Sequence, residues 1–208
     1  MADCTLPCKS LLTIVALFVV AACGGTTPAP DDAAAKDRAR MLLIDADQLP
    51  KDYRAANGQD YPGELKVCGV RLEPEGVRGF AMKRYTRTVV GPFLYEFVFV
   101  GSNAANQRLV HKMEQRLETC SKDIVTGGEG QTTYEVSALR QLPRYGQASV
   151  AFRLDPRPRG ITSEYVLIKH GDALVLLFTV APGGVSPPRA LLADGAKATM
   201  RQLRGGTE

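Results

Sequence analysis

Histidine is nearly missing from this chain: 208 residues contain two, His111 and His170. Neither stands at zinc-ligand spacing from a cysteine, so no metal centre is expected. A histidine-based triad would have to use one of the two. The sequence also has no Gly-x-Ser-x-Gly elbow, no His-Glu-x-x-His helix and no Ser-x-x-Lys followed by Lys-Thr-Gly, so the usual local signatures of hydrolases are missing. Active sites can assemble from distant residues, and a hydrolase therefore stays open as an alternative. Charge of one sign is scarce as well: 26 Lys and Arg face 22 Asp and Glu, a net of +4. That small excess argues against nucleic acid as a partner. Only one apolar run is long, residues 11–22. The next, residues 173–181, is too short to span a bilayer and reads as a strand.

What the chain does have begins with that run, LLTIVALFVVAACGG over residues 11–25. It is uncharged, follows Lys9, ends in small residues and falls short of the ~17–25 residues of a membrane span, all features of a secretory hydrophobic region. Val20-Ala21-Ala22-Cys23 resembles the bacterial lipobox. The resemblance implies cleavage before Cys23 and acylation of its thiol, which would place the mature protein on the extracytoplasmic face of the cell membrane. Asp3 and Lys9 leave together with residues 1–22, so the net charge stays +4.

Five cysteines then sort themselves. Cys4 and Cys8 go with the leader, Cys23 takes lipid, and Cys68 and Cys120 remain in the folded part. A single pair in an oxidising compartment favours one disulfide, and two buried thiols are the alternative. A bridge closing about 50 residues contributes about 4 kcal/mol at most on the chain-entropy model.

Along the mature chain, residues 23–39 read as a lipidated N-terminus and flexible tether. The domain spans 40–204, with 205–208 as a tail. MLLIDADQLP, residues 41–50, predicts a short helical turn stopped by Pro50, and residues 51–63 an irregular loop. Residues 79–90 alternate, with Phe80, Met82 and Arg84 opposite Ala81, Lys83 and Tyr85. Gly91-Pro92 then turns the chain into a strand over 93–100 that is apolar on both faces and so belongs in a covered position. Glu96 interrupts it, and is expected to reach solvent or to pair with Lys83, Arg84 or Arg87. Residues 103–124 predict a helix capped by Ser102 or Asn103, with Leu109, Val110, Met113, Leu117, Cys120 and Ile124 on one stripe. Gly127 to Gly130 lacks the ending of a phosphate-binding loop and reads as a connection. Strands are expected over 132–139, 148–154, 163–169 and 173–181, with turns at Pro143, 156–160 and Gly171-Asp172. A last helix starts at Ser186-Pro187 and ends before Gly205-Gly206. The sum is an α+β domain: a mostly antiparallel sheet with two main helices packed on it.

The lipobox, the short tether, the DADQLP opening, a first cysteine at Cys68, a β-hairpin and a helix ending in Cys120 together resemble the extracellular sensor domain of mycobacterial serine/threonine protein kinase H. That domain type also occurs alone in small actinobacterial lipoproteins. The likeness covers residues 40–203. It implies an antiparallel sheet, flanking helices and a cleft for a ligand. Here one cysteine pair stands where the kinase domain carries two, and there is neither a kinase domain nor a spanning helix.

The functional expectation is a non-enzymatic, lipid-anchored binding or sensing module without a cofactor. Its partners are the membrane, through the anchor, and an envelope lipid, glycan or protein. A structural lipoprotein docking on another envelope protein is a further alternative. The candidate site residues are Cys23 for lipid, Cys68 and Cys120 for the disulfide, the row Phe93, Tyr95, Phe97 and Phe99 for a pocket wall, and Lys83, Arg84 and Arg87 for an anion.

Overall fold

A strand with apolar side chains on both faces has to be covered on both, and strand β5 (Phe93–Val100) sets the layering of this protein. The computed structural model describes residues 30–56, 65–127, 130–157, 160–181 and 187–205. In chain order these form α1 (Pro30–Met41), a 3-10 turn (Ala46–Gln48), β1 (Arg54–Ala55), β2 (Lys66–Val67), β3 (Val70–Arg71), β4 (Gly79–Thr86), β5 and α2 (Asn103–Thr119). There follow β6 (Lys122–Gly127), β7 (Gly130–Ala138), β8 (Ala148–Arg157), β9 (Thr162–His170), β10 (Ala173–Ala181) and α3 (Arg189–Gly205). Eight strands make one antiparallel sheet in the order β1-β4-β5-β10-β9-β8-β7-β6, and β2 and β3 form a small hairpin beside it. The α+β class expected from the sequence is what the chain adopts.

Two hydrophobic layers follow from the period-two alternation of the strands. On one face Ala81, Leu94, Val98, Val166, Ile168, Val175 and Leu177 pack against α1 and α3. On the other, Phe97, Phe99, Phe152, Leu167, Leu174 and Leu176 pack against Leu109, Val110 and Met113 of α2. Leu167, Leu174, Leu176 and Phe97 are wholly buried, and each stabilises the fold by about 1.5–3 kcal/mol through removal from water. The Ser102 hydroxyl accepts the Ala105 N–H and caps α2. Gly171, at φ +58, turns β9 into β10.

Several local expectations are corrected. Residues 30–39 lie in α1 rather than in a tether, so the ordered domain begins before residue 40. Ala35 and Ala39, one turn apart, are buried against the sheet. The approach is close because Gly79 has no side chain: a Cβ there would stand 2.0 Å from the Ala35 carbonyl oxygen. The second helix stops at Thr119, with Cys120 as its cap. Beyond it the chain is extended as β6, and Ile124 is 61% exposed rather than part of the helical stripe. The strand expected over 79–90 ends at Thr86, where the Thr88 hydroxyl donates to the Gly91 carbonyl and shapes the turn. Pro156 does not begin a turn, because β8 continues to Arg157 and Pro156 lies opposite Tyr134. β1, β6 and the hairpin of β2 and β3 were not foreseen. The leader, Cys23 and the Ser186 cap lie outside the described residues.

Candidate functional site

The aromatic row on β5 divides in two. Phe97 and Phe99 are buried beneath α2, whereas Phe93 and Tyr95 are half-buried. From Tyr95 a ladder of rings crosses the sheet: Tyr95 stacks on Phe178 at 4.6 Å, Phe178 on Tyr165 at 5.1 Å and Tyr165 on Phe152 at 4.9 Å. Adjacent strands bring these side chains into register, so the ladder is a product of sheet pairing. The Arg84 guanidinium lies over the Phe93 ring at 5.5 Å. Burial raises the pKa of Tyr165 to about 12, and the Ser163 hydroxyl is 3.2 Å from its oxygen.

The three cations proposed for an anion do not converge. Arg84 shares the aromatic face. Lys83 points to the opposite one, with Nζ 3.4 Å from the Ile44 carbonyl oxygen. Arg87, in the turn after β4, has Nη2 3.6 Å from the Asp52 carboxylate.

On the opposite face of β5, Glu96 is wholly buried. Its Oε2 accepts the Ile44 N–H at 2.9 Å and lies 3.0 Å from the Tyr85 hydroxyl, and Oε1 is 3.4 Å from the Thr199 hydroxyl. Tyr85 also donates to the Ile44 carbonyl. Burial pushes the Glu96 carboxyl up to about 7, against the lowering pull of those hydrogen bonds and of the Lys83 charge. The Tyr85 hydroxyl is raised too, by burial and by the neighbouring Glu96. One side chain therefore ties the segment after α1, the sheet and α3 together. Sequence marks Glu96 as an acid inside an apolar strand. Its partners are 52, 11 and 103 residues away, beyond any local pattern.

Cys68 and Cys120 form the expected disulfide, with Cα atoms 6.1 Å apart. It joins the turn between β2 and β3 to the end of α2. Cys68, at φ +52, donates its N–H to the Asp123 carboxylate at 2.8 Å and accepts from the Arg116 guanidinium at 3.2 Å. The bridge thereby holds the small hairpin and the start of β6 against one helix end.

An open cleft of about 370 Å³ lies between α2 and the sheet. Leu117, Glu114 and Glu118 of α2 form one wall, and Ala138, Val150 and Ala151 of β7 and β8 the other. Residues 139–144 close one end. They are held by the Leu139 N–H to the Ala151 carbonyl at 2.9 Å and by the Tyr145 N–H to the Ser149 hydroxyl at 2.9 Å. Arg144 and Glu114 meet across the mouth at 3.9 Å. The lining mixes Leu117, Leu142, Val150 and alanines with the charged Glu114, Glu118, Arg140 and Arg144, which suits a small amphipathic ligand with a polar end. The resemblance implied a cleft, but sequence reasoning missed the residues that line it, since its walls come from three separated segments. Pro143 was the one visible sign that the chain bends there.

His111 is exposed on α2, with Gln115 at 2.9 Å and Glu114 at 4.0 Å; neither is a serine, threonine or cysteine. His170 ends β9. Among the described residues no group of three or more His, Cys, Asp or Glu could hold a metal ion, and no helix is long and apolar enough to cross a membrane.

No protein-family model and no curated protein matches the chain. Among solved structures it is similar to the extracellular domain of PknH from Mycobacterium tuberculosis, with a TM-score of 0.61 and 8% sequence identity over 87% of this chain and 100% of that one. The sheet, its flanking helices and their order therefore make up the fold of that extracellular domain.

Proposed function

We propose that this protein is a non-catalytic binding module, held at the outer face of the cell membrane by an acylated Cys23, that takes a ligand in the cleft between α2 and the sheet. The observation that carries this reading is the cleft itself, lined by apolar and charged side chains with Arg144 and Glu114 paired at its rim, in a fold shared with a kinase's extracellular domain. The lipobox motif and the Cys68–Cys120 bridge support an oxidising, extracytoplasmic location. The aromatic ladder serves the core along most of its length, and neither Phe93 nor Tyr95 is among the residues that line the cleft.

Native mass spectrometry of protein purified from bacterial membranes tests each part. The expected spectrum begins at acylated Cys23, gains two hydrogens on reduction, and carries a non-covalent adduct. Ala138→Trp, placed at an exposed position in the cleft wall, removes the adduct while leaving the disulfide intact. A chain without an adduct, or one that hydrolyses envelope esters or peptides, overturns the binding reading. An unacylated chain overturns the anchor.

A further inference from the structure

The helical wall of the cleft between α2 and the sheet carries two acids. Glu114 and Glu118 are one helical turn apart and lie side by side on α2, where like charges repel. The helix ends at Thr119, and the negative end of its dipole opposes an acid in the last turn. Glu118 is therefore unfavourable on both counts. Glu114 has Arg144 at 3.9 Å and His111 at 4.0 Å to offset its charge. Glu118 makes no hydrogen bond or ion pair among the described residues. Helix stability alone would favour a base at this end, and local preferences are overruled chiefly at functional positions.

The end of the cleft carries the opposite charge. Arg140 and Arg144 stand on residues 139–144, and Arg140, like Glu118, makes no hydrogen bond or ion pair among the described residues. The backbone beneath them is set by the Leu139 N–H on the Ala151 carbonyl and by the Leu142 N–H on the Leu139 carbonyl at 3.3 Å. Leu117 of α2, Leu142 of the turn and Val150 of β8 add apolar surface to the same lining. A wholly anionic ligand would meet Glu118 and a wholly cationic one Arg140, so each single-charge class is opposed by half of the site. A ligand with an ammonium, an apolar body and a carboxylate is opposed by neither. The ammonium donates to a carboxylate, and a guanidinium pairs a carboxylate through two parallel N–H groups. At about 370 Å³ the space is at the small end of ligand clefts, which limits such a ligand to a few residues.

We propose that the cleft binds a short apolar peptide with both termini free, its ammonium against Glu118 and its carboxylate against Arg140. The proposal rests on the binding reading above and adds the class of ligand. The probe is the dipeptide Leu-Leu, titrated calorimetrically into the purified protein with its Cys68–Cys120 bridge intact. N-acetyl-Leu-Leu lacks the ammonium and Leu-Leu amide lacks the carboxylate; each is expected to bind about tenfold more weakly or worse. Glu118→Gln should weaken Leu-Leu about tenfold and leave N-acetyl-Leu-Leu unchanged, and Arg140→Gln should do the same for Leu-Leu and leave the amide unchanged. Both positions are exposed, so the variants keep the fold. Failure of Leu-Leu to bind, capped forms that bind as tightly as the free dipeptide, or variants that weaken all three alike would overturn the proposal. A native adduct that Ala138→Trp removes, found where Leu-Leu does not bind, overturns the peptide and keeps the cleft as a binding site. Absence of both overturns the two readings together.

Discussion

Glu96→Gln is expected to make this protein more stable at pH 8 and to flatten its pH dependence. An ordinary glutamate titrates near 4.5, as Glu96 does in the unfolded chain, whereas in the fold it titrates near 7. The folded chain holds that proton more tightly. Its contribution to stability is therefore complete below about pH 4.5, shrinks as the pH rises, and is lost above about 7. At about 1.4 kcal/mol for each pH unit between the two values, the loss amounts to about 3 kcal/mol. Glutamine reproduces the protonated acid: its oxygen accepts the Ile44 N–H and its amide donates to Thr199. Differential scanning calorimetry at pH 5 and pH 8, at matched ionic strength, should show the wild type losing about 6–12 °C more than Glu96→Gln over this interval. An equal decline in both proteins, or a variant less stable than wild type at pH 8, would refute the assignment of Glu96 as the titrating group.

Three further predictions concern the scaffold. Replacing Cys68 and Cys120 by alanine opens a loop with a sequence separation of 52; urea denaturation should show a loss of up to about 4 kcal/mol. Gly79→Ala puts a methyl group against the Ala35 carbonyl, which should cost about 1–3 kcal/mol and speed hydrogen exchange in α1 before any other helix; unchanged exchange there would contradict the packing described. Phe178→Ala removes the ring that contacts Tyr95, Phe97 and Tyr165, and chemical denaturation should show a loss of about 3–5 kcal/mol.

Sequence made the sheet legible wherever alternation was strong. Phe80, Met82 and Arg84 do oppose Ala81, Lys83 and Tyr85, and the stripe of Leu109, Val110 and Met113 does turn α2 onto the sheet. Gly171-Asp172 is the turn of the last hairpin. Weak signals failed for identifiable reasons. Among its described side chains α1 buries only alanines, and its contact depends on a glycine in another element. β6 is an edge strand whose Lys122, Asp123 and Ile124 leave little apolar face to read. The site was less visible than the fold, because residues 114–118, 138–144 and 149–151 meet only through the topology. Lys83, Arg84 and Arg87 stood close in sequence, yet strand alternation sends neighbours to opposite faces.

The strand order sets a sequence of events during folding. From β7 to β10 every strand pairs with the one before it, so this half can grow as successive local hairpins. The β4 and β5 hairpin is also local, but the free edge of β5 has only one partner, β10, the last strand of the chain. One edge of FLYEFVFV, a strand largely apolar on both faces, therefore stays unpaired until residue 181 has emerged, and its closure carries the longest loop cost in the sheet. An unpaired apolar edge is a template for wrong partners. During synthesis, this edge of β5 is the segment a chaperone would have to shield.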